Sequence, residues 1–369
     1  MIRSIITGTG HYLPKKIIKS DYFLKYSFYD QKGLKIKKSN QEIINKFKKI
    51  TEIEERRYVH KGLLNSDIAT IAAKKALIHS KIYKEKIDYI ISAHNYGDIH
   101  PLSYQSDLMP SIASRVKNKL KINNHKCRPY DMIFGCTGWI EGMILADQLI
   151  RSKYAKNILI TSSETLSKVI DPHDQNAMIF SDGAGAAVLS AVDTTTKEEE
   201  NYGILYFDSQ CNTNEEFHYL TNGPSLNPNY TKSLLNIRMN GRRIYEYALN
   251  EVPKMLKNIL DHVNLHLNDI KKILIHQANA KMDYAIFKRL LKLYNYSSID
   301  KGLYKKLMPM TIQKFGNSSV ATVPTLLDLI LKGEMPNHNI QPGDTILMAS
   351  LGAGMNINGM IYRFPYFKL

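Results

Sequence analysis

The amino-acid sequence predicts an α/β fold built from two similar halves. Apolar segments of strand length alternate with amphipathic segments of helical period along the chain, which is typical of sheets covered by helices. Residues 135–152 can also be laid over residues 316–333 without a gap, at an offset of about half the chain. Each half repeats Gly-Ala-Gly before a strand, at 183–185 and at 352–354. These observations together indicate a duplicated unit.

The repeat places two chemically useful residues at matching positions. Gly135 pairs with Gly316, and Cys136 pairs with Asn317, each ahead of a helical stripe. Both Cys136 and Asn317 are therefore expected at helix N-termini. Pro324 weakens the match, because it would kink or delay the second helix. Chance similarity between two amphipathic helices is the alternative explanation.

The first half is placed at residues 1–197. Its predicted strands are 2–7, 87–92, 157–161 and the segment fed by the glycines at 183–185, and a short apolar run at 130–134 leads into the turn of Cys136. Its predicted helices are 66–80, a segment that begins at Pro110, and a segment whose apolar stripe runs from Ile140 to Ile150. Gly8 and Gly10 are expected to close the first strand, and the basic residues 15–61 are expected to form helices and loops on the surface.

The second half is placed at residues 198–369, after a polar connector at 194–201. Its predicted strands are 202–207, 273–275 and a closing pair around Ser350 to Asn356. Its predicted helices carry Ile244 to Ile259, Ala285 to Leu293, and the segment after Ser319.

Composition narrows the class of protein. Three cysteines in 369 residues argue against a disulfide framework and favour a reducing compartment, so we expect a cytoplasmic protein. No segment approaches the ~18 apolar residues of a membrane span. The formal net charge of +16 comes without a recognisable nucleic-acid motif. We therefore expect an acidic protein partner rather than nucleic acid, with a solvated lysine-rich surface as the alternative.

Cys136 is the candidate nucleophile. It lies at the hinge between an apolar run and a helix, where unpaired N–H groups and the positive end of the helix dipole favour a thiolate. Gly135 and Gly138 would let the backbone turn and let a substrate come close. A buried structural cysteine is the alternative.

His276 and Asn317 complete the candidate set. His276 ends a buried strand, and the repeat brings Asn317 beside Cys136 if the halves pack about a pseudo-twofold axis. Cysteine, histidine and asparagine together can run acyl chemistry, in which N–H groups hold a developing oxyanion. A core histidine and a helix-capping asparagine are the alternatives for the two residues taken singly.

Five motifs carry a family resemblance. They are Gly135-Cys136-Thr137-Gly138, Asp182-Gly183-Ala184-Gly185-Ala186, His276-Gln277-Ala278-Asn279, Gly316-Asn317-Ser318-Ser319 and Gly352-Ala353-Gly354. In this order they resemble the motifs of the β-ketoacyl-acyl-carrier-protein synthase III family. The resemblance implies the thiolase fold, a five-layered αβαβα sandwich of two similar halves, usually as a homodimer. It also implies an acyltransferase without a cofactor, whose substrates are acyl-CoA or acyl carrier protein thioesters and malonyl carrier protein.

The resemblance also implies roles for individual residues. Cys136 would take the primer acyl group as a thioester, and His276 and Asn317 would stabilise the enolate formed when a malonyl thioester loses CO2. The N–H groups of Cys136 and Ala353 would form the oxyanion hole. The residues assigned to the substrate pocket are Met109, Trp139, Gly352 and Gly354, and Lys281 is assigned to docking of the carrier protein.

Departures from the family pattern bear on the substrate. The family's tryptophan that packs on the CoA adenine has no equivalent in the lysine-rich residues 40–55, which makes a carrier-bound primer more plausible. The stretches 93–109 and 283–315 are longer than in the housekeeping enzymes, so chain-length specificity is expected to differ. A dialkylresorcinol-forming ketosynthase, a thioester hydrolase and an acyltransferase to an alcohol or amine are the alternatives within the family.

Two alternatives lie outside the family. A papain-like hydrolase also has cysteine, histidine and asparagine in this order, but the Cys-Gly-Ser-Cys-Trp signature is absent from the sequence. A non-enzymatic basic binding protein would leave the Cys136, His276 and Asn317 set unexplained.

Overall fold

A computed structural model describes residues 1–100, 105–194, 201–231, 235–296 and 301–366. The strands are β1 (Ile2–Tyr12), β2 (Lys16–Lys19), β3 (Glu55–Tyr58), β4 (Tyr89–Ala93), β5 (Asp98–Ile99), β6 (Ser106–Asp107), β7 (Arg128–Met132), β8 (Asn157–Thr165), β9 (Asp182–Asp193), β10 (Gly203–Cys211), β11 (Leu220–Gly223), β12 (Asn236–Met239), β13 (Ile270–Ile275), β14 (Thr345–Gly352) and β15 (Asn356–Arg363). The helices are α1 (Asn40–Thr51), α2 (Asn65–Ser80), α3 (Ile112–Lys119), α4 (Gly138–Arg151), α5 (Gly241–His262), α6 (Ala280–Leu293), α7 (Lys301–Leu307), α8 (Ile312–Phe315) and α9 (Thr322–Leu331).

The two large sheets repeat one topology. The first has the order β1-β9-β8-β4-β7, and the second has the order β10-β15-β14-β13. In each sheet the first three strands are antiparallel neighbours and the fourth is parallel to the third. This match of order and direction confirms the predicted duplication, with β7 as an addition to the first sheet.

Helices form layers between and outside the sheets. Apolar side chains of α4 and α9 pack against strands of both sheets in one central core, so these two helices form the middle layer. The outer face of the first sheet packs against α2 and α3, and that of the second packs against α5 and α6. The result is the five-layered αβαβα sandwich that the resemblance implies.

The glycines of β1 serve helix packing and do not end the strand. A Cβ at Gly8 would lie 2.4 Å from the main-chain oxygen of Ala76, and one at Gly10 would lie 2.4 Å from that of Ala72. The absence of a side chain at Gly8 and Gly10 lets α2 pack directly against the strand. β1 continues through both glycines to Tyr12, beyond the predicted end.

Pro324 is accommodated without breaking the second repeat. It is the third residue of α9, in the first turn, where a backbone N–H would lack an intrahelical partner in any case. Its ring lies against Gly185, which belongs to β9 and not to a turn before it. The expected kink is therefore wrong, but the expected delay is confirmed, because α9 begins at Thr322, three residues after the position that aligns with the start of α4. The expected turn at 183–185 is wrong.

The region 15–61 is more buried than its charge suggests. Phe23, Phe28, Ile43 and Ile44 are buried in a satellite core between α1 and the first half. The predicted boundary at 197/198 lies outside the described residues. None of the described helices is long and apolar enough to cross a bilayer.

Candidate active site

Cys136 lies in a single 3-10 turn, Gly135–Thr137, between β7 and α4. Gly135 adopts φ +62°, and a Cβ there would lie 2.5 Å from the main-chain nitrogen of Ala353. A Cβ at Gly352 would in turn lie 2.4 Å from the main-chain nitrogen of Cys136. Both glycines are therefore required for the turn to pack directly against the end of β14. Ser350 Oγ adds a 2.9 Å hydrogen bond to the Cys136 carbonyl.

Asn317 occupies the equivalent place in the second half. Gly316 adopts φ +65°, and the Asn317 N–H donates to the Ile179 carbonyl at 3.0 Å. The next residues form a 3-10 turn, Ser319–Ala321, which leads into α9. The positive φ of Gly135 is therefore repeated at Gly316, but Cys136 lies inside its 3-10 turn, whereas Asn317 forms a β-bridge with Phe180 and precedes its turn. Both side chains stand ahead of the two central helices, as the sequence predicts.

His276 follows the last residue of β13 and is buried. Its main-chain N–H donates to the Ala349 carbonyl at 2.9 Å, which fixes the start of the loop. Burial lowers the pKa of the His276 imidazole to about 4, and a contact with the Ser319 main chain opposes that shift. The ring is therefore neutral at pH 7, so one ring nitrogen carries a hydrogen to donate.

Ser319 joins the three candidates, and the sequence analysis missed it. Its hydroxyl donates to Cys136 Sγ at 3.1 Å, and its main-chain N–H donates to Asn317 Oδ1 at 2.7 Å. Its main chain also contacts the His276 ring. The signal in the sequence was its place two residues after Asn317, at the position that aligns with Gly138 at the start of α4.

A cavity of about 350 Å³ opens over the nucleophile. Cys136, Ser319, Ala353 and Gly354 form one part of its wall. Its apolar lining comes from Ile133, Phe134, Leu166, Phe180, Leu220 and Ile237. A thiol next to main-chain N–H groups at the wall of an apolar cavity suits an acyl chain attached through a thioester.

The Cys136 thiol differs from expectation in its acidity. Burial raises the pKa of the thiol to about 12, the hydrogen bond from Ser319 lowers it, and the negative charge of Glu164 raises it. The position ahead of a helix had predicted a depressed pKa. The desolvation of a sulfur enclosed by the cavity wall acts in the opposite direction, and Cys136 is a thiol at neutral pH in the free protein.

Glu164 and Asn95 lie behind Ser319, and they too were missed. Asn95 donates from its main chain to Glu164 Oε1 at 2.9 Å and from Nδ2 to the same oxygen. Asn95 Nδ2 also donates to Ser319 Oγ at 3.0 Å. Glu164 is fully buried on β8, and burial raises the pKa of its carboxyl well above the ordinary value.

Of the residues assigned to the substrate pocket, Gly354 lines the cavity. Gly352 is not among the lining residues and lies against the main chain of Cys136. The assignment of Trp139 is wrong, because its side chain is 1% exposed in the central core between the sheets. Met109 is 87% exposed and lies away from the cavity of its own chain.

Lys281 is exposed as the second residue of α6, five residues after His276. This exposure is what a docking residue requires, and its docking role stays a prediction. Among the described residues no group of three or more histidine, cysteine or carboxylate side chains could hold a metal ion.

Two family models match the chain. The model of 3-oxoacyl-[acyl-carrier-protein] synthase III matches residues 130–212, and the model of its C-terminal part matches residues 260–364. A β-ketoacyl-[acyl-carrier-protein] synthase III of Caldanaerobacter subterraneus is 32% identical over 357 residues, covering 95% of this chain and 94% of the relative. The relative of that name in Fusobacterium nucleatum is 30% identical over 368 residues and covers 98% of both chains.

Solved structures agree with these relatives. The crystal structure of 3-oxoacyl-[acyl-carrier-protein] synthase III from Aquifex aeolicus superposes with a TM-score of 0.77 at 27% identity, over 98% of this chain and 100% of that chain. The priming β-ketosynthase of the R1128 polyketide pathway superposes with a TM-score of 0.78 at 20% identity, over 98% of this chain and 96% of that chain, and shows the fold alone.

Proposed function

Because this chain belongs to the 3-oxoacyl-[acyl-carrier-protein] synthase III family, we propose that it condenses an acyl group held on Cys136 with a malonyl thioester on acyl carrier protein. It is an acyltransferase of the condensing type. The observation that carries the site assignment is that Ser319, which lines the cavity together with Cys136, contacts Cys136 and also His276 and Asn317 behind the cavity wall.

Loading begins with attack of the Cys136 sulfur on the carbonyl carbon of an acyl thioester. The carbonyl oxygen becomes negative and needs N–H donors that are already in place. The main-chain N–H groups of Cys136 and Ala353 are the proposed donors, and the close approach of Gly135 to Ala353 supports this pairing. Collapse of the intermediate expels the donor thiol and leaves the acyl group on Cys136.

Condensation needs a carbanion equivalent. Loss of CO2 from the malonyl thioester leaves an enolate, whose oxygen is stabilised by N–H donors. Neutral His276 and the Asn317 amide are the proposed donors, since Ser319 already occupies Asn317 Oδ1 and leaves the NH2 group. The enolate carbon then attacks the Cys136 thioester, which releases a β-ketoacyl thioester and the free thiol.

The partner that delivers malonate is proposed to be acyl carrier protein. The relatives carry that protein in their names, and the net charge of +16 suits an acidic partner. Lys281 is the proposed docking residue, because it is exposed at the start of α6 near His276. A cytoplasmic location and independence of any cofactor belong to the same proposal.

A homodimer is proposed through the free side of β7. This strand lies at the edge of the first sheet, and Tyr130 and Ile133 expose apolar surface at 46% and 60%. An unprotected edge strand pairs readily with another chain. The family resemblance implies that the stretch 93–109 closes the acyl pocket of the partner subunit, with Met109 near the pocket end, and Met109 is exposed in this chain.

The deciding experiment is intact-mass measurement. The protein is incubated with a panel of acyl-CoAs and acyl carrier proteins, and the group retained on the protein is identified. A stable adduct on Cys136 that is discharged by malonyl carrier protein supports the proposal. Cleavage of a peptide substrate without any adduct would support the papain-like alternative, which the fold and the family disfavour.

A further inference from the structure

Ser319 contacts all three residues of the proposed catalytic set, through three different groups. The hydroxyl reaches Cys136 Sγ, the main-chain N–H holds Asn317 Oδ1, and the main chain contacts the His276 ring. Ser319 adopts φ +53°, a left-handed conformation that is uncommon for a residue with a side chain. A strained backbone conformation of this kind persists when contacts with the surrounding structure hold it in place, and it often marks a functional site.

The direction of the Ser319 hydroxyl follows from its neighbours. Glu164 Oε1 accepts two N–H groups from Asn95, so the Asn95 amide is held with Nδ2 toward Glu164 and Ser319. Asn95 Nδ2 therefore donates to Ser319 Oγ, which leaves the serine proton for a second acceptor. That acceptor is Cys136 Sγ at 3.1 Å. Glu164 Oε1 accepts in either protonation state of the carboxyl, so the direction of the chain does not depend on pH.

This hydrogen bond matters most when sulfur carries charge. During loading the Cys136 S–H bond breaks, the new S–C bond forms, and the proton that Cys136 loses ends on the sulfur of the departing donor thiol. During condensation the S–C bond breaks and the sulfur leaves as a thiolate. A hydrogen bond to an ionised acceptor is stronger than one to a neutral acceptor. The Ser319 hydroxyl is thus placed to stabilise the two charged forms of the sulfur.

We propose that Ser319 is a positioning residue of this active site, aimed by Asn95 and Glu164, which stabilises the Cys136 thiolate and orients the Asn317 amide. The inference rests on the proposed function of Cys136 as the acylated residue. The titratable groups around Ser319 are Cys136, Glu164 and His276, and Ser319 contacts each directly or through Asn95. Burial alone leaves the thiol weakly acidic, so the hydrogen bond opposes the desolvation of the thiolate.

The test measures the reactivity of the Cys136 thiol directly, in the absence of any acyl substrate. Iodoacetamide alkylation of Cys136 is followed by mass spectrometry from pH 6 to pH 10.5 in the wild type and in Ser319→Ala. Removal of a donor to a charged acceptor should raise the apparent pKa of the thiol and slow alkylation at pH 8 roughly tenfold. Acyl loading should lose kcat with little change in KM, because the missing contact acts on the sulfur and not on the bound acyl chain.

Two further variants distinguish loss of the orientation of the Ser319 hydroxyl from a general disturbance of the structure. Asn95→Leu keeps the branched shape of the side chain and removes the Nδ2 donor to Ser319 and to Glu164, so it should slow alkylation in the same direction by a smaller factor. In the Ser319→Ala background Asn95→Leu should change the alkylation rate by less than it does in the wild type, since the part of its effect that passes through the Ser319 hydroxyl is already lost. Ser318→Ala is the matched control, because Ser318 precedes Ser319 in the chain and packs on Gly183 instead.

The outcomes decide separately on the two proposals. If Ser319→Ala and Asn95→Leu both follow the wild-type alkylation profile, the role of Ser319 is overturned. If Ser319→Ala does not fold, Asn95→Leu decides alone. If the alkylation profiles shift but no acyl donor ever modifies Cys136, the thiol assignment stands and the proposed condensing function of this site fails.

Discussion

The Ser319 main-chain N–H donates a 2.7 Å hydrogen bond to Asn317 Oδ1 across one intervening residue. Because the amide oxygen is occupied, the Asn317 side chain is held with its NH2 group as the free donor. If the amide could rotate, it would at times direct its oxygen, which cannot donate a hydrogen bond, toward the enolate. This contact therefore converts a residue identified from its sequence position into a group with one defined orientation.

Cys136→Ala should abolish the acyl adduct and the condensation product, since Cys136 is the cysteine that lines the cavity and neither Cys127 nor Cys211 does. Cys211→Ala is the control, because Cys211 is exposed on β10 and outside the cavity lining. Intact mass after incubation with an acyl donor measures the result. An adduct that persists in Cys136→Ala would remove the cysteine from the mechanism.

Alkylation of Cys136 in the wild type should accelerate with pH throughout the range from 7 to 10. The pKa of the thiol is raised to about 12, so the thiolate is a minor species below that pH and its fraction grows with each step upward. The iodoacetamide rate, read on the Cys136 peptide, measures it. A rate that levels off below pH 8 would mean that the helix terminus outweighs burial.

His276→Ala and Asn317→Ala should still load acyl groups on Cys136 but release CO2 from malonyl carrier protein ~10²–10³-fold more slowly, because each removes an enolate donor. Loading is read by intact mass, and CO2 release is read with labelled malonate. Equal losses in both half-reactions would contradict this division of roles.

Lys281→Glu should weaken carrier-dependent turnover several-fold while sparing loading from an N-acetylcysteamine thioester. Lys281 is exposed, so the change acts on association with an acidic partner and is screened by salt. Lys74→Glu on α2 is the matched control, as it makes the same charge change at an exposed position on the outer layer of the first half. The measurement is kcat/KM for malonyl carrier protein at low and high salt. Equal effects of the two substitutions would leave only net charge as the cause.

Tyr130→Asp should convert a dimer into a monomer, because it places a charge on the exposed face of the unpaired edge strand β7. Light scattering coupled to size exclusion measures the mass. Tyr154→Asp is the control, since Tyr154 is 71% exposed beyond the end of α4. A wild type that is monomeric at micromolar concentration would refute the proposed interface.

The fold was largely predictable because its signals are local. Short apolar runs located the interior strands β4 and β8 and the edge strand β13, and the gapless repeat identified α4 and α9 as equivalent helices. The roles of glycine were not predictable in the same way. From the sequence alone Gly8, Gly10 and Gly185 were predicted to form turns. In the structure each lies in a strand where a helix packs closely against it.

The site was predictable only in part, for a physical reason. Cys136, His276 and Asn317 belong to residue types with recognisable chemistry at element ends. Ser319 and Asn95 are ordinary polar residues whose significance comes from contacts between the halves. Trp139 was assigned to the pocket because it is close to Cys136 in the sequence. As the second residue of α4, its side chain points into the central core instead.

The pairing of β1 with β9 also determines when the first sheet can form during translation. Ile2 of β1 pairs with Asp193 of β9, so the N-terminal strand emerges long before its partner exists. At typical rates of translation this interval is roughly 10–40 s, and the Cys136 turn waits about as long again for Gly352. An apolar strand without a partner is a target for chaperones and for other nascent chains. The same duplication that shapes the catalytic cavity thus delays completion of the Cys136 turn until β14 of the second half has been synthesised.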